Sequence, residues 1–450
     1  MDKLVVNIKN SITSAGNTVL EVLQRSPGIT VNKQSNTISL VGRQGLLIMI
    51  NGKIQRIPME AIVQMFSGMN ANNIEKIEII SNPSSKYDAQ GDAGIINIIT
   101  RINPEIGTNG SYSVTAGYGY YEKPAASLNI NHRTKKYNLF GDYSFSYNKA
   151  WQLFSFDWTN SNQGQSTNTA STRYPLTVIH RASIGGELYI SPKTTLGIQV
   201  SGFNDKWEMR AQNHSAVGFY GKPFSTIDLV DLEINEWNNF MTNINLRHSF
   251  STDRSLTVDA DYLYYDATNP HQYTNDYHFI NNDSTSRELI DIRKKTPIRM
   301  GVFKADYEQK IGKLKLESGI KGTFSRLSNT VFVESNTNGE WKVNNKFTQD
   351  YRMKDDVLAA YTNLFIPVNE KTKVQLGLRT EHTDMKIRNE KDSLIFNLDF
   401  WESFPQRFRN TANQQGQCPP VFLWTADHAT IVSGHCAFCC LHRSVYIFLR

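Results

Sequence analysis

The stretch NIEKIEIISNPSSKYDAQGDAGIINIITR, residues 73–101, decides how the rest of the chain is interpreted. Its two apolar ends, Ile74–Ile80 and 94–100, predict two strands joined by a polar region. Pro83 and Gly91 lie in that region, where the backbone needs a fixed φ or unusual freedom. Taken alone, the pattern is typical of any buried hairpin-like segment. Its position is more informative, because a mixed region precedes it and a long array of alternating strands follows.

The region before this stretch predicts a small α+β unit that spans residues 1–103. Apolar residues at helical spacing predict a helix over 18–25, and Pro58 marks the start of a second helix. Between the two helices, Asn51-Gly52 separates two short apolar runs and is the strongest two-residue hairpin signal. A helix between strands in roughly 100 residues leaves room for a modest hydrophobic core of its own.

The region after the stretch alternates polar and apolar residues with a period of two. Leu256, Val258 and Ala260, for example, alternate with Thr257 and Asp259. The pattern predicts about 11 strands over 104–399, most of about 10–13 residues, and a tilted strand crosses a bilayer with ~9–11 residues. We therefore expect a mostly β protein, in which the small α+β unit precedes an incomplete antiparallel transmembrane β-barrel.

Short and long connections alternate along the array, as in outer-membrane barrels. The short turns are predicted at 134–136, 191–193, 251–254, 311–313 and 367–371, and the long polar loops at 149–176, 205–238, 267–297 and 326–354. Strict alternation places the small α+β unit and every short turn on the periplasmic side. The long loops then lie outside the cell.

The decisive stretch resembles the end of the plug domain in TonB-dependent outer-membrane receptors. The variant with Ser81-Asn82-Pro83 and Tyr87-Asp88-Ala89 is similar to the branch found in Bacteroidetes-type bacteria. The resemblance covers about residues 1–399 and is specific at the plug end and architectural over the barrel. It implies a gated barrel of the Gram-negative outer membrane, with outer-membrane lipid, a TonB-type energy-transducing protein and a nutrient ligand of unknown identity as partners.

Composition excludes two other classes of protein. The chain has 39% hydrophobic residues and a mean hydropathy of −0.44, and its longest aliphatic run is the five-residue segment 46–50. That run is far shorter than the ~20 residues of a spanning helix, so a helical inner-membrane protein is excluded. The net charge of +6 is spread along the chain in both signs, so no basic stripe indicates nucleic-acid binding.

The start of the chain carries no export signal that the sequence reveals. Met1-Asp2-Lys3 leads directly into a predicted strand instead of a cationic patch and an apolar core. Because a barrel of the outer membrane is exported, we expect the natural start to lie further upstream.

No catalytic motif is present, so we predict no enzyme activity and no catalytic, cofactor-binding or metal-binding residue. Charged pairs such as Asp259 and Asp261, or Lys315 and Glu317, are interpreted as lumen-facing residues. Three functions stay open: an energised transporter, a passive porin-like or structural barrel, and a surface-binding or signalling receptor without transport. The plug-like unit disfavours the porin, because a porin has no use for it.

Residues 400–450 depart from the rest of the chain. They hold three of the ten histidines and all four cysteines, Cys418, Cys436, Cys439 and Cys440. A metal site with His435 and His442, or a disulfide cluster, is an alternative. We predict instead an out-of-frame tail that begins near Phe400, so that the chain is a truncated form that does not work as a transporter. Translating another frame from that point should then restore alternating strands.

Overall fold

The structure is a computed structural model that describes residues 3–8, 17–32, 36–40, 46–55, 59–69, 71, 74–80, 85–87, 94–100, 106–337, 339–369, 372–389, 391–411 and 421–422. Pro58, Pro83, Gly91 and the four cysteines of the tail lie outside these residues. The described chain forms a small α+β unit, followed by one large antiparallel sheet.

The small α+β unit contains two helices and two sheets. Its elements are β1 (Lys3–Asn7), α1 (Val19–Gln24), β2 (Ile29–Asn32), β3 (Thr37–Leu40), β4 (Leu47–Ile50), β5 (Lys53–Ile54), α2 (Met59–Gly68), β6 (Ile74–Ile80) and β7 (Ile95–Thr100). Five strands form a sheet in the order β1-β6-β7-β4-β5, and β2 pairs with β3. The two strands predicted in the decisive stretch, β6 and β7, are confirmed and lie side by side at the centre of the sheet.

Local sequence signals mark where these elements begin and where the chain turns. Thr18 caps α1 with a capping box: its backbone N–H donates to Glu21 Oε2 (2.8 Å), and the Glu21 N–H donates to Thr18 Oγ1 (3.3 Å). The hairpin between β4 and β5 turns at Asn51 and Gly52, whose φ angles are 52° and 78°. Two successive positive φ values are what a type I′ turn requires, so the predicted hairpin is confirmed.

The large sheet has 15 strands and is called the wall below. Its strands are β8 (Gly107–Tyr118), β9 (Glu122–Arg133), β10 (Tyr137–Lys149), β11 (Gln152–Asn160), β12 (Gln165–Ser191), β13 (Thr194–Phe219), β14 (Lys222–Ser251), β15 (Arg254–Phe279), β16 (Ser284–Ile311), β17 (Leu314–Thr337), β18 (Glu340–Val343), β19 (Gln349–Pro367), β20 (Thr372–Asn389), β21 (Leu394–Thr411) and β22 (Val421–Phe422). Neighbours pair antiparallel, and among the described residues β8 and β22 are the two edges. The predicted incomplete antiparallel barrel is confirmed.

The prediction of long loops is wrong, because most of the residues assigned to them continue the strands. Residues 205–238 form the upper halves of β13 and β14, which pair to within a tip at Tyr220 and Gly221. Polar residues are compatible with this hairpin, because the backbone N–H and C=O groups of each strand bond to those of the other strand. The short turns, by contrast, lie where they were predicted, for example between β12 and β13.

The strand pattern also extends further than predicted. β21 pairs with β20 from Leu394 to Thr411 without a break at Phe400. The wall therefore has more strands than the predicted number, since β21 and the short strands β11, β18 and β22 join it.

Other apolar side chains of the wall lie on its outer face. Ile244, Ile320 and Leu358 are about half exposed there, as expected of side chains that face lipid. No helix among the described residues is long and apolar enough to cross a membrane.

Candidate functional site

The inner face of the wall surrounds the small α+β unit with two kinds of surface. Its middle is an apolar band that consists of Phe203, Trp237, Leu263, Tyr265, Ala267, Ile298, Met300, Leu327 and Met353. These side chains belong to one continuous hydrophobic cluster with the core of the small unit, including Phe66 of α2. The unit therefore shares its core with the wall, as a plug shares its surface with the lumen that holds it.

A second contact joins α2 to β12. The Gly68 position lies so close to Ile179 that an added Cβ would be 3.0 Å from two atoms of that side chain. Next to it, Arg181 donates to Met69 Sδ at 2.8 Å. A larger residue at the end of α2 would therefore force the Ile179 side chain to move.

Polar contacts hold the segment Ser85-Lys86-Tyr87 against the lower wall, near the short turns. Lys86 Nζ lies 3.1 Å from Asp306 Oδ2 and 3.8 Å from Glu308 Oε1. Asp306 also pairs with Lys304 and accepts a hydrogen bond from the Tyr361 hydroxyl. We call Lys86 and these wall residues the anchor.

Ser85 is completely buried and bonds to three wall strands. Its N–H donates to Asn363 Oδ1 (3.3 Å), and its hydroxyl donates to Gln406 Oε1 (2.9 Å). Its carbonyl accepts from Arg379 Nη1 (3.4 Å), and the Arg379 side chain is itself only 2% exposed. Buried polar groups are costly unless paired, so these contacts fix one position of the segment relative to the wall.

Charge at the anchor strengthens the contact. Burial by itself would lower the pKa of Lys86, but the carboxylates of Asp306 and Glu308 outweigh burial and raise it above its usual value. Lys86 therefore stays protonated at neutral pH. Removing one partner of a buried ion pair costs about 3–5 kcal/mol when the other is left alone, and less here because Lys304 also pairs with Asp306.

The upper inner wall, beyond the apolar band, carries a cluster of hydrogen-bonding groups. Asp231 and Glu233 of β14 lie opposite Tyr273 and His271 of β15. His271 Nε2 is 3.6 Å from Glu233 Oε1, and His271 Nδ1 is 3.3 Å from the Tyr273 hydroxyl. We call these four residues the upper polar patch. No group of three or more His, Cys, Asp or Glu side chains in the described chain is arranged to hold a metal ion.

The residues singled out in the sequence lie on the inner face, as predicted, but bond to the wall itself. Asp261 accepts from Asn243 (2.6 Å), and Lys315 bonds to Glu317 (2.6 Å). Two tryptophans of the predicted loop 205–238 lie lower: Trp237 is in the apolar band, and Trp207 packs against the same cluster.

Sequence reasoning missed the anchor. Lys86 lies inside the quoted stretch, but its partner Asp306 is one of many acidic residues in the wall. The available signal was weak: a charged residue at an inward position, a few residues from a short turn. Only the ion pair with Lys86 distinguishes Asp306 from the other acidic residues of the wall.

Part of the wall matches a known family. Residues 248–416 match the model of the outer membrane protein beta-barrel family. Among solved structures, the siderophore receptor PiuA from Acinetobacter baumannii is similar with a TM-score of 0.50 and 12% identity, over 91% of this chain and 61% of that one. The ferric citrate transporter FecA, in its unliganded form, has a TM-score of 0.41 and 10% identity, over 92% of this chain and 78% of that one. No curated protein matches in sequence.

The family match and the similarity to PiuA confirm the resemblance at the level of fold, and they confirm the predicted location. The family match covers β15 to β21 and ends beyond Phe400, which agrees with the continuous strand β21. The wall is thus that of a Gram-negative outer-membrane β-barrel, and the chain has the fold of a TonB-dependent receptor.

Proposed function

We propose that this outer-membrane protein takes up a ligand actively, with residues 1–103 as the plug that gates its lumen. The observation that carries the proposal is the shared hydrophobic cluster together with the anchor at Lys86. A domain that only decorated the barrel would have no reason to complete its core with inward side chains of the wall.

Ligand binding is proposed at the upper polar patch, above the plug. This surface faces the lumen from the part of the wall that extends beyond the bilayer, and it offers carboxylate, imidazole and phenol groups from neighbouring strands. A ligand that bonds to it would lie between the outside and the plug. PiuA is named a siderophore receptor and FecA a ferric citrate transporter, and the ligand class of this chain stays open.

An energised uptake system moves its plug, and Ser85 is the position that reports this movement. A Ser85→Cys variant keeps a side chain of similar size that is buried while the anchor holds. We expect an impermeant maleimide to label the introduced thiol in energised cells, and labelling to stop when an uncoupler collapses the proton-motive force. The measurement is the labelled fraction of the full chain by mass spectrometry.

Two control positions fix the topology. Asn281→Cys, at the tip between β15 and β16, should label with or without the uncoupler. Gly312→Cys, in the turn between β16 and β17, should not label from outside. Labelling of the Ser85→Cys variant that ignores the uncoupler would contradict gating, and absence of labelling in energised cells would favour a receptor that binds without transport.

A passive barrel is the remaining alternative. It predicts steady ion conductance of the full chain in planar bilayers, whereas a plugged barrel conducts only after residues 1–103 are deleted. The TonB-type partner stays a proposal. The frame change near Phe400 also stays a proposal, and it would make this chain a truncated, inactive form of the barrel for which uptake is proposed. The residues beyond Phe422 that bear on the frame change lie outside the described chain.

A further inference from the structure

β11 continues the line of β10 beyond the membrane. β10 has 13 residues, more than the ~9–11 that a tilted strand needs to cross a bilayer. Between the two strands, Trp151 stacks on Tyr120 with ring centroids 5.1 Å apart, and exposed aromatic residues of this kind mark the membrane interface. β11 therefore lies in water, at the end of the wall that we predict to face outside the cell.

One edge of β11 has no strand beside it. Within the described chain β11 pairs with β12 alone, whereas β10 pairs with β12 on one side and β9 on the other. The hairpin of β8 and β9 turns at 119–121, below β11, so neither of its strands reaches this edge. A strand of nine residues thus has one free edge in water.

The alternation of an antiparallel pair shows which backbone groups lie on the free edge. The Ala150 N–H donates to the Pro175 carbonyl at 2.9 Å. Two residues on, Gln152 lies opposite Arg173 in the same register, so even-numbered residues of β11 bond to β12. The odd-numbered residues direct their N–H and C=O groups to the free edge: Leu153, Ser155, Asp157 and Thr159.

Comparison with β18, which also pairs on one side only, shows that β11 is an unprotected edge. β18 has four residues and carries Glu340 and Lys342, whose charged groups lie 3.7 Å apart. Short length and charge keep edge strands from pairing with other chains. β11 is more than twice as long, and its single charged residue, Asp157, accepts a hydrogen bond from Asn168.

Aromatic side chains line one face of this edge. Ile179 of β12 lies against α2, so the odd-numbered residues of β12 face the lumen. The register places three rings of β11 on the same face, and they are 36%, 46% and 49% exposed: Phe154, Phe156 and Trp158. A strand added at the free edge would place alternate side chains beside these rings, and pairs of aromatic and β-branched residues stabilise a sheet.

We propose that the free edge of β11 binds an extended polypeptide segment of another protein, which joins the wall as an additional strand. The backbone groups of the four edge residues match the alternating donors and acceptors of an extended chain. The rings favour β-branched or aromatic side chains at alternate positions of that segment. The inference rests on the outer-membrane location and is independent of the proposed uptake.

The β11 edge of a second copy in the same membrane does not fit this edge. A closed pair of copies with one orientation has its two-fold axis along the membrane normal, which places the two β11 strands parallel with identical groups at equal heights. N–H groups would then face N–H groups, and no ladder of hydrogen bonds would form. We therefore assign the edge to a different polypeptide.

The probe is a fluorescent nine-residue peptide of alternating threonine and valine, and its control is the same peptide N-methylated at four consecutive central amides. Consecutive residues of a strand direct their N–H groups to opposite edges, so the methyl groups block both edges of the control peptide. Fluorescence anisotropy measures the binding of each peptide to the full chain.

Two proline variants of the full chain form a matched pair. Ser155→Pro removes an N–H from the free edge of β11 and leaves the bonds to β12 in place, and edge strands tolerate proline. Val343→Pro makes the same change on the free edge of β18, because the neighbouring Asn344 N–H donates to the Val333 carbonyl of β17. Circular dichroism of each variant establishes that the wall is folded.

We expect the Ser155→Pro variant to bind the peptide about tenfold more weakly than the unchanged protein, which corresponds to the loss of one hydrogen bond. The Val343→Pro variant should bind like the unchanged protein. Phe156→Ala keeps the backbone intact and should weaken binding about threefold, because the ring no longer contacts the added strand.

Three results would overturn the proposal. The first is no saturable binding of the peptide to the unchanged protein, and the second is equal binding of the N-methylated peptide. The third is a dimer, detected by light scattering, that the Ser155→Pro variant abolishes, because it would assign the edge to a second copy of this chain.

Discussion

The plug-like unit buries its apolar side chains, whereas the wall exposes apolar side chains on its outer face and buries charged ones inside. In the unit, Phe66 and Ile77 are fully buried, as in a water-soluble domain. In the wall, Ile320 and Leu358 are about half exposed, whereas Arg379 is buried on the inside. The difference follows from the solvent each surface meets: lipid outside the wall accepts apolar groups, and the enclosed interior requires polar groups to be paired.

The two regions also differ in what stabilises them. The wall consists of long strands whose backbone groups bond to their neighbours on both sides, apart from the edges. The plug-like unit has short elements, such as the six-residue helix α1, and depends on packing. The same substitution should therefore change the stability of the two regions by different amounts.

The largest expected effect is the loss of a core aromatic ring. Phe66→Ala should destabilise the plug-like unit by about 3–5 kcal/mol, because it leaves a cavity in the cluster shared with the wall. Urea unfolding followed by the fluorescence of Trp207 and Trp237 measures the loss, because both tryptophans pack in that cluster. The matched change Phe324→Ala, on the outer face, should cost much less, since lipid or detergent fills the space. Equal losses of stability in the two variants would contradict the proposed difference between the regions.

A smaller effect is expected at the anchor. Lys86→Met should cost about 1–3 kcal/mol, because Asp306 loses one charged partner and keeps Lys304 and Tyr361. The measurement is the hydrogen-exchange rate of the amides in Ser85-Lys86-Tyr87, which should rise. Lys310→Met, at the end of β16, removes an exposed lysine and serves as the control. Unchanged exchange in the Lys86 variant would show that the anchor does not restrain the segment.

The pH dependence of the anchor has a defined sign. Because the folded protein raises the pKa of Lys86, the contribution of the ion pair is complete below the ordinary value of 10.5. It is lost only as pH rises through the higher folded value. Exchange at Ser85 should therefore show no loss of the anchor between pH 7 and 10, and the Lys86→Met variant should lose the alkaline transition.

The smallest effect is expected at the edge strand β1. Burial by itself would raise the pKa of Glu78, but Lys3 and Lys76 outweigh burial and lower it. The ion pairs therefore contribute fully above the ordinary value of 4.5 and are lost as pH falls through the lower folded value. Glu78→Gln should weaken β1 by roughly 0.5–1 kcal/mol, because Lys3 is partly exposed.

Amide resonances of Leu4 and Val5, which pair with β6, report this change. At neutral pH the variant should show more opening of β1 than the unchanged protein. Below the acid transition the two should behave alike. A difference that persisted at low pH would assign the effect to packing instead of charge.

Local signals in the sequence predicted several elements correctly. The apolar runs that became β6 and β7, the Asn51-Gly52 hairpin and the short turns of the wall were all recognised, because each depends on neighbouring residues only. The extent of the strands was not, because 205–238 is rich in charged and amide residues and was interpreted as a polar loop, although apolar residues such as Trp207 and Trp237 recur in it. Their strand structure depends on pairing with the adjacent strand, which composition does not reveal. The domain boundaries 1–103, 104–399 and 400–450 stay predictions.

The sequence by itself determined the period of two, the order of plug-like unit and wall, and the turns between strands, because these follow from residues adjacent in the chain. Only the tertiary structure decided which inward residues meet the plug-like unit. Ser85 and Asn363 are 278 residues apart and hydrogen-bond only because the wall curves around the unit. Turn geometry fixes register within a hairpin, but contacts between residues of distant strands depend on the curvature of the assembled sheet, which no local pattern encodes.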